Sequence, residues 1–278
     1  MELVDALVEA IRLAVTKIPD DVEKALTRAY EKEENDIAKF NISLILKAIK
    51  IGQEKRVPVC QDTGTPTFFV ELGDYSNPGE LVKAIKEAVR ITTEDVPLRP
   101  NALNVLTNEN LGNLPIIHME TTEEKATRIA VLMKGGGSEN CSALAMLTPA
   151  EGLDGLKRFV IEKVAECGGK PCPPIILGIG VGGTAEKAME LAKRALLRRI
   201  GERNPNPQLA ALEEELLKAV NSLGIGPMGL GGKTTALDVK VEVAPRHPAS
   251  FPVALAVQCW AHRRAFVEIK GGRVRVWQ

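Results

Sequence analysis

The strongest constraint on the fold is an uninterrupted apolar run at 174–181 that ends in Gly182-Gly183-Thr184 and passes into helical spacing as far as about residue 200. A short apolar run closed by glycines reads as a strand feeding a helix. Residues 2–17 set Leu3, Ala6, Leu7, Ile11 and Leu13 at roughly helical spacing, and 20–51 predicts one or two more helices, with Ile42, Ile45, Leu46 and Ile49 on a buried side. Pro78 suits the first position of a helix to about residue 91, and further helices are predicted at 152–166 and 206–222. Strands are predicted at 67–72, 115–120, 126–133, 238–244, 252–259, 265–270 and 273–277, the last two joined by a tight turn at Gly271-Gly272. Residues 92–114, with Pro97, Pro100, Gly112 and many Asn, form an irregular loop of a length that often carries function. The chain shows no internal repeat and no low-complexity linker. The expected fold is mixed α/β (α+β): a helix-rich N-terminal part and a mixed β-sheet flanked by helices, in one domain over 1–278.

Lys+Arg and Asp+Glu both number 36, so the formal net charge is zero. That argues against a nucleic-acid or charged-membrane partner. The N-terminus carries Glu2, Asp5 and Glu9 where a secretory signal needs basic residues, and no apolar run reaches membrane-spanning length. Five widely spread cysteines, an odd number, do not form a secreted disulfide framework and point to a reducing, cytoplasmic setting.

Three cysteines stand at turns or strand ends: Cys60 in Val-Pro-Val-Cys-Gln-Asp-Thr-Gly-Thr, Cys172 in Lys-Pro-Cys-Pro-Pro, and Cys259 in Ala-Val-Gln-Cys-Trp-Ala-His-Arg. Main-chain N–H groups in such turns are free to point at sulfur. A four-iron cluster on three thiolates keeps one iron open for Lewis-acid chemistry. Spacing alone leaves other readings: buried free thiols, or zinc held through Cys167/Cys172 and Cys259/His262.

The sequence resembles the class I (iron–sulfur) fumarate hydratase and L-tartrate dehydratase family. Cys60-Gln-Asp-Thr-Gly-Thr65, Lys134-Gly-Gly-Gly-Ser138, Cys172-Pro-Pro174, Gly182-Gly-Thr184, Gly231-Gly-Lys233 and Pro245-Arg-His247 match it in order and approximate separation, as does the strand ending at Cys259. The similarity runs from about residue 20 to 278. It implies a [4Fe–4S] cluster on Cys60, Cys172 and Cys259, with Cys141 and Cys167 outside the ligand set. It implies an alpha subunit (the N-terminal domain of the single-chain enzymes) that needs a beta subunit carrying the base, in an α₂β₂ assembly. The implied reaction is reversible hydration or dehydration of a small dicarboxylate, fumarate to L-malate first and L-tartrate second, the former a step of the tricarboxylic acid cycle.

The resemblance gives Asp62 the role of acid toward a departing hydroxyl and sets Asp62, Gln61, Arg99 and His247 against the substrate, with His247 also catalytic; Gly135 to Gly137, Gly136 and Gly137 among them as substrate-binding residues, let main-chain N–H groups approach a carboxylate or the open iron. Residue chemistry alone keeps plainer readings: a turn-capping Asp62, a solvated Arg99, a surface-loop His247, and a simple turn at the triple glycine. Ser138-Glu-Asn-Cys141 differs from the Ser-Ala-Asn-Lys of single-chain fumarases, which leaves substrate choice open.

Two glycine runs offer rivals. Gly178-Ile-Gly-Val-Gly-Gly183 fits G-x-G-x-x-G and supports an alternative nucleotide-binding module, yet a second helix follows where a second strand should close the unit. Gly229-Leu-Gly-Gly-Lys-Thr234 resembles a P-loop ending, but Pro227 occupies the first glycine position and a strand follows. A non-catalytic interaction protein is a third class, and it requires no iron.

Overall fold

The structure, a computed structural model, describes residues 2–75 and 77–278. In chain order the elements are α1 (Leu3–Thr16), α2 (Asp20–Lys32), α3 (Asp36–Lys55), β1 (Thr65–Leu72), α4 (Pro78–Asp95), β2 (Ile116–Thr121), β3 (Thr127–Lys134), α5 (Gly136–Glu139) and β4 (Ala143–Leu147). There follow α6 (Gly152–Cys167), β5 (Ile175–Gly183), α7 (Ala185–Ala195), α8 (Pro207–Asn221), β6 (Ala236–Arg246), β7 (Phe251–Gln258), β8 (Arg263–Lys270) and β9 (Arg273–Trp277). The fold is α+β, as the sequence predicts. The predicted segment 20–51 is two helices, with Asn35 Oδ1 capping the second by accepting from Ile37 and Ala38 N–H at 3.0 and 3.1 Å. Neither α5 nor β4 is foreseen in the sequence. No helix among the described residues is long and apolar enough to cross a membrane.

The chain divides into two compact units. The first comprises the segment up to Asp20, Ala48–Gly136 and Ala261–Gln278, and the second Asp21–Lys47 and Gly137–Trp260. The first unit holds a five-stranded sheet in the order β2-β1-β3-β8-β9, in which only β1 and β2 pair in parallel. Leu7 and Ile11 of α1 and Leu81, Ile85 and Val89 of α4 pack with Phe68, Val70, Ile129, Val131 and Val267 from the strands. Each such side chain contributes about 1.5–3 kcal/mol when fully buried. Pro78 opens α4 as predicted, and Asn77 Oδ1 accepts the Glu80 N–H at 3.2 Å, satisfying one of the helix's unpaired donors.

The second unit holds a four-stranded sheet in the order β4-β7-β5-β6, with β5 and β6 parallel and the other pairs antiparallel. The apolar run is β5, a central strand. Leu177, Ile179 and Val181 share a core with Leu156 and Val160 of α6 and Leu212 and Leu216 of α8. Gly178 and Gly180 alternate with them, as strand geometry requires, and receive α7. A Cβ on Gly178 would stand 2.0 Å from the Ala192 carbonyl oxygen, and one on Gly180 1.9 Å from that of Ala188. The glycines therefore let a helix backbone lie directly on the strand. A nucleotide fingerprint needs its glycines in the turn after the strand, and these two sit inside it. One sequence argument is corrected: β5 and β6 do pair in parallel, because the crossover between them contains two helices, α7 and α8.

The edge strand β6 is held by buried charge. Glu213 of α8 is fully buried, pairs with Arg198 at 2.6 Å, and accepts the Val241 N–H at 2.9 Å and the Asn204 N–H at 3.0 Å. Asp238, also fully buried, pairs with Arg203 at 2.7 Å and Lys240 at 2.8 Å. Burial pushes the Lys240 ammonium down from its ordinary value, and Asp238 opposes that shift. Removing Glu213 leaves the part-buried guanidinium groups of Arg198 and Arg203 short of a partner and the Val241 and Asn204 N–H groups without their acceptor. Glu213→Ala is expected to destabilise the chain by about 3–5 kcal/mol in urea unfolding. Gly180→Ala, which thrusts a methyl into the α7 backbone, is expected to cost at least about 1–3 kcal/mol on the same measurement.

Candidate active site

In the first unit, the Cys60-Gln-Asp-Thr-Gly turn enters β1 and is fastened to the end of β3. Asp62 Oδ1 accepts the Gly64 N–H at 3.0 Å, and Asp62 Oδ2 accepts the Gly136 N–H at 2.8 Å. Gly64 has φ +88, and a Cβ there would stand 2.8 Å from the Met133 carbonyl carbon, so only glycine fits. A Cβ on Gly135 would stand 3.0 Å from Asp62 Oδ2. The triple glycine is thus more than a turn. It admits the carboxylate and opens the short helix α5. The Thr63 hydroxyl is buried and accepts the Arg99 N–H at 3.0 Å, which ties the start of the long loop to the same turn. Gln61, Arg99 and Gly136 are exposed, and Cys60 and Asp62 are half-buried. Asp62, Gly136 and the Arg99 backbone are therefore brought together, and Gln61 adjoins them in sequence.

In the second unit, Cys172 precedes β5 with φ +54, a left-handed conformation unusual for a residue with a side chain. Its carbonyl accepts the Trp260 N–H at 3.3 Å, which sets the turn of Cys172 against the residue following Cys259. The β5–β7 register agrees, pairing Ile176 with Gln258. The P-loop-like run buttresses this turn: Met228 N–H donates to the Pro173 carbonyl at 2.8 Å, and a Cβ on Gly229 would stand 2.5 Å from Gly169 Cα. A Cβ on Gly137 would stand 3.4 Å from the Lys170 carbonyl oxygen, so exposed Gly137 lies by the same turn. Lys233 pairs with Glu34 at 2.6 Å, and its N–H donates to buried Glu33 at 2.8 Å.

His247 stands apart from the two cysteines of its unit. It follows β6, whose Arg246 is level with Gly183, whereas Cys172 and Cys259 lie beyond the Ile176–Gln258 pair at the other end of the sheet. Seven residues of strand, about 23 Å, separate those levels. His247 is exposed, and its Nδ1 accepts the Ala249 N–H at 3.1 Å.

None of the five cysteines is in a disulfide; Cys60, Cys172 and Cys259 are partly exposed, and Cys141 is buried. Beside Cys259, Gln258 is fully buried and its amide Nε2 has no partner among the described residues. Such a donor suits a sulfide or thiolate acceptor. In the second unit the thiols of Cys172 and Cys259, with a neighbouring unused N–H, are donors of the chemical kind an iron–sulfur cluster takes. Among the described residues, no three His, Cys, Asp or Glu side chains are grouped to hold a metal ion. Ligands of a cube grip separate iron corners and need not converge on one atom, as zinc ligands must. Burial, then a hydrogen bond with Cys141, pushes the Cys167 thiol up to about 12. A thiol that resists ionisation is a poor ligand.

Sequence reasoning passes over one buried group in each unit. Gln258 reads in the sequence only as part of a strand. Arg263 opens β8, is buried, and donates through Nη1 to the Asp62 carbonyl. Its one signal is its place in Cys259-Trp-Ala-His-Arg-Arg264, shortly after a candidate ligand.

A family model described as fumarate hydratase (Fumerase) matches residues 4–268. A Methanocaldococcus jannaschii protein provisionally named L(+)-tartrate dehydratase subunit alpha is 50% identical over 280 residues, covering 97% of this chain and 98% of its own. The L(+)-tartrate dehydratase subunit alpha of Escherichia coli is 36% identical over 256 residues, covering 90% of this chain and 84% of its own. A Geobacillus stearothermophilus protein provisionally named class I fumarate hydratase is 36% identical over 282 residues, 96% of this chain but 55% of its own length. These matches define an enzyme of the hydro-lyase class. The chain belongs to the fumarate hydratase family.

At pH 8 a thiol of pKa near 12 is only about one part in ten thousand thiolate. Iodoacetamide under reducing, iron-free conditions is therefore expected to label Cys167 slowly at pH 8 and faster as the pH is raised. Peptide mass spectrometry over time at each pH checks the rate.

Proposed function

We propose that this chain is the cluster-bearing alpha subunit of a [4Fe–4S] hydro-lyase that interconverts a small 2-hydroxy dicarboxylate and its unsaturated product. Fumarate and L-malate are the first substrate pair. L-tartrate is the second, favoured by the names of two relatives matched over most of their length. The observation that carries the reading is the Asp62 carboxylate, two residues from Cys60, gripped by two main-chain N–H groups.

Cys60, Cys172 and Cys259 would hold the cluster. When bound, it supplies an open iron that acts as a Lewis acid toward the substrate hydroxyl. In its protonated form Asp62 supplies the proton that the departing hydroxyl needs to leave as water, and is left as the carboxylate. Its carboxylate cannot swing away, because each oxygen already accepts an N–H. In the reverse direction the same oxygens take a proton from the attacking water. Gln61 and the Arg99 guanidinium are exposed beside that turn and offer donors to substrate carboxylates. Gly136 and Gly137 let substrate approach the main chain. The carbon-bound proton goes to a base on a beta subunit, in an α₂β₂ assembly of the reducing cytoplasm. The names of the alpha-subunit relatives support a second chain. His247 enters no step here.

Anaerobic co-expression with the beta subunit, followed by assays on L-malate and on both tartrate enantiomers, tests the proposal. The assembled protein should be brown and bleach in air. Serine at position 60, 172 or 259 should abolish the colour, whereas Cys141→Ser should keep it. Asp62→Asn should keep the colour and lower kcat by about 10²–10⁴. Colourless protein, or full activity from the lone chain, would overturn the reading.

A further inference from the structure

Arg263 has no assigned role, and its environment calls for one. The residue is 1% exposed, and its Nε and Nη2 are buried with no hydrogen-bond partner among the described residues. Its Nη1 donates to the Asp62 carbonyl. Nη2 lies 3.3 Å from the point where a Cβ on Gly135 would stand, and Asp62 Oδ2 lies 3.0 Å from that same point. Guanidinium and carboxylate thus flank one notch, kept clear because residue 135 has no side chain. Burying an arginine this way is unfavourable in itself, so packing does not account for it.

We propose that Arg263 is a positioning residue for Asp62. Its planar guanidinium clamps the turn from the main-chain side, while the Gly64 and Gly136 N–H groups clamp the carboxylate oxygens. The carboxylate is then held from three directions, and its charge faces a fixed cation across Gly135. The catalytic part of this inference rests on the hydro-lyase reading; the clamp itself does not. Lysine would keep the charge but lose the fork that spans carbonyl and notch.

Arg263→Lys in the assembled two-subunit enzyme tests the inference with two readouts. Amide hydrogen exchange at Gly64 and Gly136 should speed up at least about tenfold, as expected when a local clamp opens. On malate or tartrate, kcat should fall about thirtyfold with KM changed less than about threefold, a loss confined to the transition state. In an Asp62→Asn background, Arg263→Lys should lower kcat no further, because two residues acting as one unit are not additive. Gly135→Ala, which wedges a methyl between the two groups and leaves the buried charge in place, should give the same pattern if the lysine variant does not fold. Unchanged exchange at both glycines, or an equal fall in kcat with and without the Asp62 carboxylate, would overturn the proposal. An unsubstituted enzyme inactive on all substrates would sink the hydro-lyase reading instead, and the exchange rates would still decide the role of Arg263.

Discussion

Two main-chain N–H groups, one two residues away in sequence and the other seventy-four, converge on the carboxylate of Asp62. This is the constraint on which the first unit's candidate chemistry depends. A carboxylate with both oxygens engaged has lost its rotational freedom before any ligand arrives, which is the meaning of preorganisation. The same bonds fix the turn that carries Cys60 and Gln61, and through Thr63 they fix the beginning of the loop that carries Arg99. None of this is possible unless β1 and β3 are neighbours. Their antiparallel register pairs Thr65 with Lys134 and so delivers the triple glycine to the Asp62 turn. A sheet buried under α1 and α4 is what holds that register.

The second unit works by close approach of backbones. Glycines on β5 admit α7, and glycines around residue 229 admit the turn of Cys172. In both places a methyl group would force main chains apart. The two runs look like phosphate-binding loops because both uses need residues without side chains. What separates them is the neighbour: here the space a phosphate would take is filled by a helix in one case and by the Cys172 turn in the other. Cys172, in a left-handed conformation, is kept in place by bonds from Trp260 and Met228 on either side. The unit's charge network is separate from this region and serves stability, giving the edge strand β6 side-chain acceptors in place of a further strand.

Much of the architecture was legible in the sequence because it rests on local rules. Apolar spacing marked most helices and strands, Pro78 marked a helix start, and Gly271-Gly272 marked the β8–β9 turn. The short α5 and β4 escaped because four or five residues carry too little periodicity. The parallel pairing of β5 with β6 escaped because no local signal tells how many helices a crossover contains. The candidate residues Cys60, Asp62, Cys172 and Cys259 stood out by their motifs. Arg263 and Gln258 did not, since what distinguishes them is burial without a full set of partners, a property of the folded chain alone.

The sequence by itself determined the α+β class, the resemblance to iron–sulfur hydro-lyases, and the chemical types gathered in each motif. These follow from side-chain chemistry and from spacing along one strand or helix. Only the tertiary structure decided that Gly136 meets Asp62, that Trp260 meets Cys172, and that His247 lies a full strand length from the cysteines of its own unit. Such contacts depend on the order and register of strands far apart in sequence, and a hydrogen bond is indifferent to how much chain separates its donor from its acceptor.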